Sequence, residues 1–154
     1  MDPCDRVEDT EDERCIRRAL QVLEGRIRSG PCFADPHAIR DFLRIRLAHR
    51  GYEVFAVLWL DAQHRLIEFD EMFRGTVSQA SVYPREMVRE AIRHNACACI
   101  LSHNHPSGCC QPSGADLLLT RLLRDALAML DVRVLDHIIV SASGSFSMAE
   151  HHLL

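Results

Sequence analysis

Apolar positions alternate along the chain between helical spacing and short continuous runs. From Arg14 onward, Ile16, Ala19, Leu20, Leu23 and Ile27 recur at three- and four-residue steps, which predicts an amphipathic helix. Gly30-Pro31 stops it. Asp35-Pro36 supplies an N-cap followed by proline at the first helical position, and Ile39, Phe42, Leu43 and Leu47 carry a second helix to about His49. Residues 53–60 are almost unbroken apolar sequence, the pattern of a strand covered on both faces. A turn at 61–64 and an imperfect alternation over 65–73 predict an antiparallel return strand.

The second half repeats the alternation. Residues 75–82 read as a connector with room for a short strand. Pro84 opens a helix to His94 with Met87, Val88, Ala91 and Ile92 on its inner face. Residues 96–101 form a buried strand. Ser113 caps a long helix bearing Leu117, Leu118, Leu122, Leu123, Ala126, Leu127 and Leu130. Residues 132–141 and 145–148 are strands. Residues 1–13 are rich in Asp and Glu and read as a solvated tail. The order of elements predicts an α/β fold, a mixed sheet flanked by helices. A boundary near Gly51 would divide an N-terminal tail and two-helix appendage (1–50) from an α/β core (51–154).

Composition narrows the function classes. The chain has 154 residues, is 47% hydrophobic and 26% charged, and suits one globular domain. No apolar run nears the roughly 18 residues of a membrane helix, and the acidic start has no apolar signal region, so the expected location is the cytoplasm. The net charge of -4 gives no overall basic footprint for nucleic acid. All 18 basic residues are arginine, and half lie between Arg14 and Arg50, so a locally basic N-terminal region stays open. Seven cysteines without a framework spacing read as reduced thiols. Cys97 and Cys99 fit core packing. Cys109 and Cys110 lie in the loop discussed next, where a thiolate could reach a metal or merely fill space.

That loop begins Ser102-His103-Asn104-His105-Pro106-Ser107-Gly108 and continues to Pro112-Ser113-Gly114-Ala115-Asp116. Residues i and i+2 of an extended segment point the same way, so His103 and His105 can aim two imidazoles at one point while Asn104 points away. Asp116 falls in the first turn of the following helix, where the helix N-terminus favours a carboxylate. Two imidazoles and one carboxylate are the usual ligands of a catalytic zinc with an open fourth position. The same residues also admit a plainer account, with Ser113 and Asp116 as a local helix cap and the histidines as polar loop residues. Two look-alikes fail. A barrel amidohydrolase needs about 250 residues. The adjacent letters His-Asn-His match the HNH nucleases only typographically, because those residues are dispersed over a ββα unit.

His-x-His, seven residues, Ser, two residues, Asp resembles the JAMM (MPN-type) metalloprotease motif. Together with Gly75-Thr76-Val77, Val82-Tyr83-Pro84-Arg85-Glu86 and Asp136-His137-Ile138-Ile139-Val140, the text resembles the RadC family within that group, over roughly residues 53–154. The resemblance implies a JAMM/MPN-like, cytidine-deaminase-like fold. It implies Zn2+ on His103, His105 and Asp116, and Ser113 orienting water or supporting the oxyanion. It also implies an upstream glutamate as general base. Glu53, heading the first strand, fits best, with Glu68, Glu71 and Glu86 as alternatives. Asp136 and His137 could support the ligands or simply pack in the core. The implied activity is zinc-dependent hydrolysis of an amide bond in a peptide or protein. The family's long-standing DNA-repair label leaves a nucleic-acid-associated factor as an alternative, and a non-catalytic binding module is another. A homodimer is compatible with either. Longer members carry a helix-hairpin-helix region whose Gly-rich hairpin is absent here, so the chain reads as a short form of the kind common in mobile elements.

Overall fold

The computed structural model describes residues 10–29, 35–75 and 81–154. Its elements run α1 (Glu11–Ser29), α2 (Pro36–Leu47), β1 (Val54–Leu60), β2 (Leu66–Arg74), α3 (Pro84–Arg93), β3 (Ala98–Asn104), α4 (Gly114–Ala128), β4 (Arg133–Ser141) and β5 (Gly144–Ser147). The strands form a mixed sheet in the order β2-β1-β3-β4-β5. β1 is antiparallel to both β2 and β3, β3 is parallel to β4, and β5 returns antiparallel on β4. The fold is thus the predicted α/β arrangement of helices around one mixed sheet. Among the described residues no helix is long and apolar enough to cross a membrane.

Every residue of β1 is buried, because helices cover both faces of the sheet. The period of two sorts its side chains. Val54, Ala56, Leu58 and Leu60 join Ile27, Ile39, Phe42, Leu43 and Leu47 in the core under α1 and α2. Phe55, Val57 and Trp59 join Met87, Ala91, Leu123 and Leu127 in the core under α3 and α4. The same rule sorts β3: Ala98 and Ile100 face the first core, Cys99 and Leu101 the second. His103 therefore faces α4, and Asn104 faces the opposite side.

Local chemistry explains the helix starts. The Asp35 side chain accepts a hydrogen bond from the His37 N–H, and Pro36 follows it. Thr10 and Glu13 exchange hydrogen bonds in the same manner, so α1 begins at Glu11, inside the stretch expected to be a tail. Residues 1–9, the Gly30-Pro31 stop and residues 76–80 of the connector lie outside the described residues.

Several side chains depart from the sequence expectation. Ile92 is 63% exposed, and Glu90 takes the inner position beside Met87 and Ala91. Leu118 and Leu122 are exposed, whereas Thr120, Leu123 and Leu127 face the sheet. The physical reason is width. The leucines of α4 span more than one helical face; the 120/123/127 stripe, flanked by the part-buried Leu117 and Leu119, lies against the sheet. Cys97 is exposed just before β3, whereas Cys99 is buried, and burial pushes its thiol up to about 12. β3 itself continues to Asn104, so His103 stands on the strand and only His105 on the loop.

Candidate metal centre

The site lies where the carboxyl end of β3 meets the amino end of α4, within a strand–helix–strand crossover onto the parallel neighbour β4. Crevices at such strand ends are where open α/β sheets bind ligands. The His105 N–H donates to the Val140 carbonyl at 2.9 Å, which continues the β3–β4 ladder by one step and keeps His105 on the His103 side. The chain then turns at Gly108, whose φ of 88° is left-handed backbone suited to glycine, and the Gly108 carbonyl accepts from the Ser143 hydroxyl. Ser113 opens α4.

At that helix start Ser113 and Asp116 form a capping box. The Asp116 N–H donates to Ser113 Oγ at 3.1 Å, and the Ser113 N–H and hydroxyl both donate to Asp116 Oδ2 at 2.7 Å. The carboxylate also faces the histidines, with Oδ1 3.3 Å from His103 Nε2 and Oδ2 3.5 Å from His105 Nε2. The helix cap and the ligand cluster thus coexist, since the cap holds the carboxylate in the orientation that meets the imidazoles. Burial alone would push the Asp116 carboxyl up. The two imidazoles that face the carboxylate and the Ser113 N–H outweigh it and hold the group far below the usual carboxylate range. His105 is raised, first by its hydrogen bond to Asp116, against the effect of burial; the Cys109 carbonyl and the charges of Asp116 and Glu53 add to the rise.

The two imidazole Nε2 atoms stand 2.9 Å apart. The His105 Nδ1–H donates to the Cys109 carbonyl at 2.7 Å, which leaves its Nε2 facing the cluster. Two nitrogen lone pairs at that separation repel unless a cation, either a proton or a metal ion, lies between them. Donors about 2.0–2.1 Å from a tetrahedral zinc stand about 3.3 Å from one another. The observed 2.9, 3.3 and 3.5 Å bracket that value, so His103, His105 and Asp116 fit a small divalent cation in both chemistry and spacing. The structure brings these three ligand atoms within 4.8 Å of one another. Neither Cys109 nor Cys110 joins this group: Cys109 is exposed, and Cys110 packs against the small core of Ile139, Phe146 and Met148.

The cluster opens on a cavity of about 770 Å³ lined by Glu53, Phe55, Val82, Tyr83, His103, His105, Ser113, Asp116 and Leu119, among others. Glu53 precedes β1 by one residue and shares its alternation with Phe55, which pairs with His103 across the sheet. The carboxylate thus arrives on the histidine side. Among the described residues lining the cavity it is the one glutamate. The alternatives are engaged elsewhere: Glu68 with Arg28, Glu71 with Arg46 and Arg50, Glu86 with Arg89.

A family model described as the RadC-like JAB domain matches residues 33–153. The chain belongs to that family. The chain is 54% identical over 139 residues to a UPF0758 protein of Variovorax paradoxus (strain S110), an alignment covering 90% of this chain and 62% of the relative. It is 59% identical over 139 residues to one of Paracidovorax citrulli (strain AAC00-1), covering 90% and 59%. It is 49% identical over 145 residues to one of Leptothrix cholodnii (strain ATCC 51168 / LMG 8142 / SP-6), covering 94% and 65%. The chain thus spans about three-fifths of the length of these curated relatives.

Two features support the candidate site: Asn104, which the sequence did not single out, and His137, which the sequence left open between supporting the ligands and packing in the core. Asn104, fully buried, accepts from the Val54 N–H at 2.7 Å and donates to the Tyr52 carbonyl at 3.0 Å. It therefore clamps the backbone on both sides of Glu53. The signal was present, since the alternation that aims the histidines one way sends Asn104 the other, but its partners are 50 and 52 residues away. Asn104→Ala takes this partner from the buried Val54 N–H and the part-buried Tyr52 carbonyl, and about 1–3 kcal/mol of stability should be lost. Urea unfolding checks this, and a loss below about 0.5 kcal/mol, the scale of a neutral surface change, contradicts the clamp. The second feature is His137. Its Nε2 lies 2.8 Å from His103 Nδ1 and its Nδ1 2.6 Å from Thr120 Oγ1, so it is linked to the candidate ligand His103 and is also buried in the core.

A further group, Asp70, Glu90 and His94, also lies within ligand distance. Its members already have partners. The Trp59 Nε1–H donates to Asp70 Oδ2, which also meets His94 Nε2, while Arg89 and Arg93 pair with Glu90. The His94 ring stacks on Trp59. This network pins the end of α3 to the sheet.

Proposed function

We propose that this RadC-like JAB domain is a zinc-dependent hydrolase of amide bonds in a peptide or protein, a metallopeptidase or isopeptidase. The observation that carries the reading is the convergence of two Nε2 atoms 2.9 Å apart with the Asp116 carboxylate, at the floor of a cavity that also presents Glu53. A divalent cation held by His103, His105 and Asp116 would act as a Lewis acid, able to lower the pKa of water from 15.7 to about 7. Glu53 is the proton carrier. It takes the proton of the attacking water and returns it to the leaving nitrogen. The Ser113 hydroxyl donates to Asp116 and so holds that carboxylate; turned toward the cavity, it would hydrogen-bond the developing oxyanion. Phe55, Val82, Tyr83 and Leu119 give the cavity an apolar wall suited to a side chain of the substrate.

A nucleic-acid reading has less support. Of the arginines between Arg14 and Arg50, Arg28 pairs with Glu24 and Glu68, Arg40 with Glu150, and Arg46 and Arg50 with Glu71. The hydrolase reading is tested first by elemental analysis of the purified protein beside His105→Ala. About one zinc per chain is expected in the wild type and none in the variant. Absence of metal from the wild type, after zinc is supplied and the excess removed, would sink the reading.

A further inference from the structure

The hydrogen-bond directions behind His103 form a chain that can be assigned atom by atom. Thr120 has one hydroxyl proton. The carbonyl of Asp116, one turn back along α4, lies 2.6 Å from Thr120 Oγ1 and takes that proton, the usual back-bond of a helical threonine. The oxygen is then left as an acceptor, so the contact at 2.6 Å to His137 Nδ1 requires a proton on that nitrogen. His137 is fully buried on β4, and its two ring nitrogens meet Thr120 Oγ1 and His103 Nδ1; among the described residues no carboxylate is bonded to the ring to balance an imidazolium, so the ring is neutral. With Nδ1 protonated, its Nε2 is a lone pair. The contact at 2.8 Å to His103 Nδ1 then requires a proton on the latter, and His103 Nε2 is left as a lone pair facing the cluster.

We propose that Thr120 and His137 are positioning residues that hold His103 in its Nδ1–H tautomer and tie that strand ligand to the helix that carries Asp116. The second part follows from connectivity. From the Asp116 carbonyl the path runs through Thr120 and His137 to the His103 ring, whose Nε2 faces the Asp116 carboxylate at 3.3 Å. One ligand comes from β3 and the other from α4, and this loop sets their relative placement through β4. His105 needs no such device, because the Cys109 carbonyl can only accept and fixes its tautomer locally. Phe55 stacks on the His103 ring and meets His137 edge-on, so the rings are held in plane as well as by hydrogen bonds. Outer partners of this kind orient metal-binding histidines and raise their affinity.

The inference rests on the metal reading above, and its test separates the two. Imidazole nitrogen shifts in ¹⁵N-labelled, metal-stripped protein report the tautomer directly, with His103→Gln assigning the signal. The wild type is expected to show His103 as Nδ1–H. Thr120→Val, close in shape, frees the His137 ring to reverse, so a population of His103 Nε2–H should appear. Zinc affinity, read by competition with a chromogenic chelator, should fall by about 10–100-fold. Thr120→Ser keeps the hydroxyl and should behave as wild type in both readouts. His137→Phe should match Thr120→Val if it folds. A wild-type His103 in the Nε2–H form overturns the inference. So does a Thr120→Val protein with unchanged tautomer and zinc affinity. A wild type that binds no zinc, yet shows the tautomer change in Thr120→Val, overturns the metal reading and leaves the positioning of His103 standing.

Discussion

Glu53→Gln is expected to lower amide hydrolysis by about 10²–10⁴-fold, the usual contribution of a general base, while zinc content stays at the wild-type level. The substitution keeps size and hydrogen-bonding capacity and removes only the ability to take a proton. Glu53 is suited to the role by register. It stands two residues before Phe55, which pairs with His103, so its side chain meets the same cavity as the ligands. Its backbone is held on both flanks by Asn104, and its own carbonyl accepts from the Gly75 N–H at 2.8 Å. Digestion of a mixed peptide library, followed by mass spectrometry, supplies the readout without a known substrate. Full activity in Glu53→Gln would move the base elsewhere. Loss of both zinc and activity would make Glu53 a structural residue of the site.

Asp116→Asn carries the other large effect, on zinc binding and on pH dependence. Loss of a ligand should weaken zinc by more than the about 10–100-fold typical of outer partners. In the metal-free protein the signs follow from three groups. His105 is raised above 6.5 by Asp116, so its stabilising contribution is complete below 6.5 and is lost as pH rises through the higher folded value. Asp116 is depressed below 3.8, so its contribution is present above 3.8 and is lost as pH falls through the lower folded value. His137 is depressed below 6.5, so the unfolded chain takes up a proton that the folded chain refuses. That term makes stability fall with decreasing pH below 6.5. In the wild type the His105 and His137 terms oppose each other around neutrality. Asp116→Asn removes the largest cause of the first and keeps the second, so its stability should climb more steeply toward neutral pH. Urea unfolding of chelator-treated protein from about pH 5 to pH 8 measures both curves. Parallel curves would contradict the assigned coupling. With zinc present, wild-type affinity should rise with pH as His105 loses the competing proton.

Much of the site could be read from residue order, because its essentials are local. His103 and His105 share a side by the i, i+2 rule, and Ser113 and Asp116 share a helix start by the capping rule. Glu53 heads β1 and lines the same cavity as His103, His105 and Asp116. Distance along the chain hides the roles of Asn104 and Thr120, and it leaves His137 open between supporting the ligands and packing in the core. His103 and His137 are 34 residues apart, Thr120 and His137 are 17, and Asn104 reaches back 50 to Val54.

What the order of residues specifies here is a set of strands and capped helices, each with a preferred face, because periodicity and capping depend on neighbours within a turn or two. It also specifies that two imidazoles leave β3 on one side. It does not specify which side chains of an over-wide apolar helix meet the sheet, and so Ile92, Leu118 and Leu122 lie outside. Nor does it specify that a histidine at the centre of β4 completes a hydrogen-bond path between a ligand on β3 and the helix bearing Asp116. Those outcomes depend on strand order and on the crossover that lays α4 over the β3–β4 pair, and only the packed sheet brings groups so far apart in the chain to within 3 Å.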